Sequence, residues 1–468
     1  MPLEAINPAT GKTLKRYEEM NDAEVNAAIE AAHQSFLQWR ETSFEHRASH
    51  MRKAAALLRE RAREYGRLMA AEMGKPIRDG IAEAQKCATG CDYYAEYAER
   101  YLAEEPVDSG PRKSFVAFRP LGVVLAVMPW NFPFWQVIRF AAPALMAGNA
   151  GVLKHASNVP CSALTLEQLF RDAGFPEHLF RTLMIGSKMV GDVIAHPHVR
   201  AVSLTGSTPA GRDVAAKAGA ALKKCVLELG GSDAYLVLSD ADIEFTAASC
   251  AKGRLVNSGQ SCIAAKRFIV IESLRSRFER QLVVEMGNAK VGDPMDEDTM
   301  VGPMARRDLR DELHEQVQKS VAKGARLLCG GEVPRGPGAF YPATVLSDVQ
   351  PGQPAYDEEM FGPVAAVIAA KDVDDAVRIA NDSEFGLGGG VFTRDLALGQ
   401  RLATDGIDAG SVFVNATVSS DPKLPFGGVK DSGYGRELSS YGIREFVNIK
   451  TIVVAQHGGA PTSAHHSE

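Results

Sequence analysis

Between residues 114 and 230, short apolar runs alternate with segments of helical length, and this alternation constrains the fold more than any other feature of the chain. Runs at 123–128, 151–153, 183–185, 201–204 and 225–229 have the length of buried strands. The stretches between them, at 134–147, 160–173, 187–195 and 208–220, have the length of helices. Pro160 suits a first helical turn, and Gly174 suits the residue that ends one. Continuous apolar strands separated by helices predict a parallel, doubly wound α/β sheet. Residues 21–104, rich in Ala, Glu and Arg, predict a helical region before it. A second alternation follows Gly231, with a strand at 235–238, a helix near 242–256 and a strand at 267–271. The run 451–455 predicts a last strand, and the small polar tail at 457–468 predicts disorder.

Composition excludes several function classes. The chain has 468 residues, 45% of them hydrophobic and 24% charged, which argues against a disordered or fibrous protein. A net charge of -6 with both signs interspersed gives no basic footprint for nucleic acid or an acidic membrane. The first residues lack the pattern of a signal peptide, and no apolar run reaches the ~20 residues that span a bilayer. Seven cysteines, an odd number, predict reduced thiols. A soluble protein of the cytoplasm is expected.

Ligands of doubly wound sheets sit at the carboxyl ends of the strands, so a nucleotide is expected there. The glycine fingerprint G-x-G-x-x-G is missing. In its place, Thr205-Gly-Ser-Thr-Pro-Ala-Gly211 follows the strand at 201–204 and opens a helix, where N–H groups and a hydroxyl can hold a pyrophosphate. A plain N-cap by Ser207 or Thr208 explains the same residues. Lys154, just past a strand end, is in reach of ribose hydroxyls or a phosphate, although a lone lysine is usually solvated. Cys262 follows the polar segment Asn257-Ser-Gly-Gln-Ser, in which Gly259 permits close backbone approach. An isolated cysteine is more often a small buried hydrophobe, and a thiol of pKa ~8.5 needs a cation, dipole or base to react. Glu228 precedes Gly230 and Gly231 at a strand end, where a carboxylate is either functional or paired with Lys223 or Lys224. A thiol nucleophile and a carboxylate base together are what thioester formation and hydrolysis require.

These residues fall into a familiar order. Pro129-Trp-Asn-Phe-Pro133, Leu153-Lys154, Leu204-Thr-Gly-Ser207, Glu228-Leu-Gly-Gly231, Gly259-Gln-Ser-Cys262, Glu358-Glu-Met-Phe-Gly-Pro363 and Pro425-Phe-Gly-Gly-Val-Lys430 follow one another along the chain. Over residues 5–455 the chain resembles the aldehyde dehydrogenase superfamily, and segments 224–232 and 262–268 are most similar to its short bacterial succinate-semialdehyde dehydrogenases. The resemblance implies the aldehyde dehydrogenase fold. Its parts would be a Rossmann-like NAD(P)-binding domain at 1–111 and 121–228, an α/β catalytic domain at 229–428, and a small β oligomerisation flap at 112–120 and 429–456. It also implies a homodimer or homotetramer, no metal, and no nucleic-acid or membrane partner.

The chemistry implied is oxidation of an aldehyde to a carboxylate, most of all succinate semialdehyde to succinate. A broad aliphatic or aromatic aldehyde dehydrogenase is the alternative. Cys262 would attack the aldehyde, Asn131 and the Cys262 N–H would hold the oxyanion, and Glu228 would activate water. Trp130 and Ser207 would lie at the pyrophosphate, Lys154 at the adenine ribose, and Glu359 and Phe361 at the nicotinamide. Gly186, Gly206 and Leu229 would also touch the cofactor. Ser157 stands where many NAD-using relatives carry a glutamate, so NADP is expected to be preferred over NAD. Arg139, eight residues after Asn131, would bind a distal carboxylate with Ser420 and the adjacent Ser419, and Trp135 would form an apolar wall. Longer members carry a second arginine where this chain has Val256. Ala264 occupies the place of a resolving cysteine, so Cys262 is expected to be sensitive to peroxide in the absence of cofactor.

Overall fold

The computed structural model describes residues 3–110 and 112–455, so the tail at 457–468 lies outside the described residues. A short antiparallel pair, Leu3–Ile6 with Thr13–Tyr17, precedes four helices: α1 (Asp22–Trp39), α2 (Phe44–Glu60), α3 (Ala62–Met73) and α4 (Ile77–Tyr101). The side chains of Asn21 and Ser43 cap α1 and α2, and Gly74 ends α3 in the left-handed conformation. One side of α4 buries Cys87, Cys91 and Tyr94, and the helix packs on α2, α3 and the later α5.

The predicted alternation follows. Strand β1 (Lys113–Pro120) leads into it but belongs to a separate sheet, and its own elements are β2 (Val123–Met128), α5 (Trp135–Met146), β3 (Ala150–His155), α6 (Pro160–Asp172) and β4 (Phe180–Thr182). After them come α7 (Val190–Ala195), β5 (Val199–Thr205), α8 (Thr208–Ala220) and β6 (Lys224–Glu228). Strands run β4-β3-β2-β5-β6, all parallel, and Gly433–Tyr434 adds an antiparallel edge beside β6. Sequence order reverses between β2 and β5, which makes their carboxyl ends the switch point where such sheets bind ligands.

The second alternation comprises β7 (Ala234–Val237), α9 (Ile243–Leu255), β8 (Arg267–Ile271), β9 (Arg326–Cys329), β10 (Thr344–Ser347), β11 (Val364–Ala370), β12 (Gly388–Phe392) and β13 (Ser411–Val414). Its order is β9-β10-β11-β8-β7-β12-β13, parallel except for β9 against β10. Alternate residues of β7 feed two cores, Ala234 and Leu236 into one and Tyr235 and Val237 into the other. Both faces of this sheet are therefore covered, as its apolar strands require. A last strand, β14 (Val447–Val454), pairs antiparallel with β1.

Two strand expectations need adjustment. The ladder expected at 183–185 lies at Phe180–Thr182, although Leu183 and Ile185 are buried beside it. Apolarity marks burial, and here burial outlasts pairing. The last strand begins at Val447 rather than 451, because Asn448 and Lys450 alternate with Ile449 and hide its first half from an apolar-run criterion. Among the described residues, no helix is long and apolar enough to cross a membrane.

Only residues 229–233 separate the carboxyl end of β6 from the amino end of β7. The carboxyl edge of the first sheet is thereby joined to the amino edge of the second, and Cys262 lies in the loop entering β8.

Candidate active site

The loop that carries Cys262 is built from strained backbone. After α9, Asn257 (φ 53°), Ser258 (φ 56°) and Gly259 (φ 77°) are all left-handed. A Cβ on Gly259 would lie 2.3 Å from the Gly362 backbone, so only glycine fits there. Left-handed Asn and Ser each cost on the order of 1 kcal/mol, and such strain persists only where surrounding contacts enforce it. Several do. Arg254 donates to the Gly259 carbonyl (2.5 Å), and Gln260 Oε1 accepts from the Ala305 N–H (2.9 Å). The buried Lys266 ammonium donates to the carbonyls of Cys262 (2.7 Å), Ser261 (3.0 Å) and Ala264 (3.3 Å).

Asn131 is locked to the same loop. Its Nδ2 donates to the Gln260 carbonyl (3.0 Å), and its Oδ1 accepts from Gln136 Nε2 (3.0 Å). Asn257 Nδ2 donates to the Asn131 carbonyl (2.7 Å) and to the Gln260 carbonyl (3.0 Å). Both Asn131 and Cys262 line a cavity of about 550 Å³. Burial pushes the Cys262 thiol up to about 12, against the opposing charges of Lys266 and Arg139. Burial thus disfavours the thiolate, the form that peroxide oxidises, and so works against the expected sensitivity. All seven cysteines are free, so no local disulfide is formed.

Glu228 ends β6 with 2% of its surface exposed, and neither carboxylate oxygen has a hydrogen-bond partner among the described residues. Burial holds its pKa well above the usual carboxylate range, and the nearby Glu437 adds to the effect. Glu228 is not part of the cavity wall, whereas the next residues, Leu229 and Gly230, are.

The same cavity opens at the switch point between β2 and β5. Trp130 from the β2 end and Thr205, Gly206 and Ser207 from the β5 end line it. Ser207 is the N-cap residue of α8, yet its hydroxyl makes no capping bond, so capping does not account for it. Glu359 and Phe361 form the opposite wall, with Phe361 edge-on to Trp130 at 5.8 Å. Glu359 accepts from the Gly231 N–H (3.0 Å) and lies 3.4 Å from Lys266. Lys154, Ser157 and Gly186 are outside this cavity; Lys154, expected just past the end of β3, is its penultimate residue, while Ser157 and Gly186 follow the carboxyl ends of β3 and β4. The Gly186 N–H is taken by Glu19 (3.1 Å). Lys154 is half-buried, makes no ion pair among the described residues, and has its pKa lowered by burial.

On the substrate side the structure separates residues that spacing had grouped. Arg139 is not free for a distal carboxylate. Its guanidinium, 3% exposed, is paired with the buried Glu437 and donates to Thr205 Oγ1 (3.2 Å). The spacing from Asn131 is as expected, but a counter-ion supplied from the C-terminal region occupies the arginine. Ser419 is exposed and makes no side-chain hydrogen bond among the described residues. Ser420 points inward, where its Oγ accepts from Lys86 Nζ (2.7 Å) and Trp135 Nε1 (3.1 Å). A second cavity of about 600 Å³ lies here, with Lys86, Phe132, Trp135 and Val256 in its wall.

Sequence reasoning missed Lys86, Gln136, Lys266 and Glu437. Asn257 and Lys266 stand within the segments singled out around Cys262, and a buried lysine four residues after a nucleophile was a usable signal. Nothing local distinguishes Lys86 or Glu437, whose partners are 334 and 298 positions away.

Comparison with known proteins agrees with this geometry. Residues 1–452 match the Aldehyde dehydrogenase family. The chain is 51% identical over 456 residues to a succinate-semialdehyde dehydrogenase (NADP(+)) of Mycobacterium avium, covering 97% of this chain and 96% of that protein. It is 50% identical over 458 residues to succinate-semialdehyde dehydrogenase (NADP(+)) 1 of Mycobacterium tuberculosis, covering 97% of this chain and all of that one. The crystal structure of succinic semialdehyde dehydrogenase from Streptococcus pyogenes in complex with NADP+ superposes with a TM-score of 0.94 at 37% identity, over 97% of this chain and 100% of that one.

Proposed function

The chain belongs to the aldehyde dehydrogenase family, and from that premise we propose that it oxidises succinate semialdehyde to succinate with NADP as hydride acceptor. One observation carries this reading. Cys262 and Asn131 are braced together on the wall of a switch-point cavity, in a chain about half identical along its length to proteins named for that activity.

The cleft suits a nicotinamide dinucleotide, since an uncapped Ser207 hydroxyl opens the 13-residue α8 and Lys154 is a half-buried cation that makes no ion pair among the described residues. Trp130, Gly206, Ser207 and Leu229 would hold its pyrophosphate side, Glu359 and Phe361 its nicotinamide end, and Lys154 with Ser157 its ribose phosphate. When bound, NADP supplies the hydride acceptor.

The residues of the chain do the rest. Cys262 adds to the aldehyde carbon. The developing oxyanion is met by Asn131 Nδ2, whose other hydrogen is fixed on the Gln260 carbonyl, and by the Cys262 N–H. Each such donor contributes about 3 kcal/mol to the transition state. Oxidation of that adduct leaves an acyl group on Sγ as a thioester. Glu228 then takes a proton from the water that hydrolyses it, which requires its buried carboxyl to ionise and reach the cavity.

On the same reading, residues 1–111 and 121–228 form the cofactor domain, 229–428 the catalytic domain, and 112–120 with 429–456 a flap that joins copies into a dimer or tetramer in the cytoplasm. In support, Ile449, Val453 and Val454 of the edge strand β14 are more than half exposed, at 62%, 51% and 51%. A broad-specificity aldehyde dehydrogenase is the second reading, favoured by the occupied guanidinium of Arg139 and by uncharged Val256. Steady-state NAD(P)H formation with succinate semialdehyde and with butanal, each with NADP and NAD, separates the two. A higher kcat/KM for succinate semialdehyde with NADP is expected, and a preference for butanal would establish the second reading.

A further inference from the structure

Asn131 stabilises an oxyanion only while the nitrogen end of its amide faces the aldehyde. We propose that Gln136 is a positioning residue that holds the Asn131 amide in that orientation and so sets the rate of the step on Cys262. This inference rests on the reading given above, in which Asn131 Nδ2 meets the oxyanion.

The two ends of an asparagine amide are nearly alike in shape and opposite in charge. Turned over, Asn131 would aim a carbonyl oxygen at a developing negative charge and replace stabilisation with repulsion. Two contacts oppose that rotation. Nδ2 gives one hydrogen to the Gln260 carbonyl (3.0 Å), which leaves its second for the substrate. Oδ1 accepts from Gln136 Nε2 (3.0 Å), the only bond it receives among the described residues. The first contact is shared, because Asn257 Nδ2 also donates to the Gln260 carbonyl (3.0 Å), and it depends on the left-handed nucleophile loop. Gln136 comes from α5 and restrains the amide independently of that loop.

The fold places Gln136 firmly. It is the second residue of α5, and its N–H donates to the Phe132 carbonyl (3.2 Å). Glu83 of α4 accepts from the N–H groups of Phe134 and Trp135, each at 2.9 Å. His155, the last residue of β3, bonds the Pro133 carbonyl through Nε2 (2.9 Å). Asn131 and Gln136 therefore stand at the two ends of one turn that is pinned from α4 and from β3.

Packing alone does not account for a glutamine here. Gln136 is 3% exposed and lies in the wall of the cavity that holds Cys262. Its Oε1 is buried and has no hydrogen-bond partner among the described residues. An unpaired buried carbonyl is costly, and an apolar side chain of the same volume avoids that cost. Among the described residues, the one hydrogen bond the side chain gains in return is the bond to Asn131 Oδ1. The amide at this position is thus explained by what it does to Asn131.

The test uses the full-length enzyme. Gln136→Met and Gln136→Leu each remove the donor and keep an apolar group of similar volume, and both are made in wild type and in Asn131→Ala. The readouts are kcat and KM with succinate semialdehyde and NADP, and the rate at which iodoacetamide alkylates Cys262 in the cofactor-free enzyme. In wild type, loss of the donor is expected to lower kcat about tenfold with little change in KM, as loss of one buried hydrogen bond felt in the transition state implies. In Asn131→Ala the same substitutions should lower kcat less than roughly twofold, because no amide remains to be oriented. Alkylation should keep its wild-type rate, since displacement of iodide from carbon forms no oxyanion. A kcat equal to wild type in both Gln136 variants overturns the proposal. A loss that persists undiminished in Asn131→Ala, or that comes with slowed alkylation, also overturns it, because either is the mark of a distorted site. If Asn131→Ala itself turns over at the wild-type rate, the reading beneath the proposal falls, and the proposal with it.

Discussion

Cys262 presents a tension that has to be resolved at the level of single groups. A nucleophile must be a thiolate, yet burial pushes this thiol up to about 12, and the favourable charges of Lys266 and Arg139 do not offset that. The Lys266 ammonium, the closest favourable charge, is spent on three loop carbonyls and serves geometry more than acidity. The sign of the pH dependence follows. The thiolate fraction of the free enzyme rises about tenfold for each pH unit below the thiol pKa, since only the deprotonated form reacts. Alkylation of the cofactor-free enzyme by iodoacetamide is therefore expected to accelerate about tenfold per pH unit from pH 7 to 9. A rate that is flat over that range would show a thiolate already present at neutral pH. Glu228 pulls the same way, because its buried carboxyl must lose a proton before it can act as a base.

At the scale of elements, the nucleophile loop is a short left-handed segment held between α9 and β8. Gly259 is its least replaceable residue, because both its φ of 77° and its contact with Gly362 exclude a side chain. Gly259→Ala is expected to destabilise the enzyme by at least ~2 kcal/mol. It should also reduce kcat, since Gln260 and Asn131 register on this turn. Thermal inactivation and steady-state rates check both effects, and a variant with wild-type melting and turnover would refute the account of the loop.

The same scale shows what could be read from the sequence. Strand β2 and helix α8 appear within a residue of their predicted bounds, because apolar runs and caps are local signals. The hydroxyl of Ser207, the amide of Asn131 and the thiol of Cys262 also share one cavity, as the motifs imply. Arg139 was misread for a physical reason. Spacing along a helix fixes where a side chain starts, but its counter-ion, Glu437, comes from a segment 298 residues away. Lys86 was missed for a similar reason, since its hydrogen-bond partner Ser420 stands 334 positions away.

For the molecule as a whole, both sheets are covered by packed helices, while β14 remains an open edge. It pairs with β1 on one side only, and its outer residues Ile449, Val453 and Val454 are exposed. A long apolar edge strand invites pairing with another chain unless it is blocked or covered. A stable interface of this kind commonly buries over 1,000 Å² in total, and an eight-residue strand with the flap around it can supply that. Copies of the chain should therefore associate through this edge. Placing lysines at Ile449 and Val453 should shift the enzyme to a smaller species in multi-angle light scattering, because charge on an edge strand opposes pairing. The active-site loop draws none of its braces from β14, so each released copy should retain intact site geometry, detectable as NADP binding by calorimetry. A wild-type chain that runs as a monomer at micromolar concentration would rule out the edge as an interface, and the exposed valines would then need a different explanation.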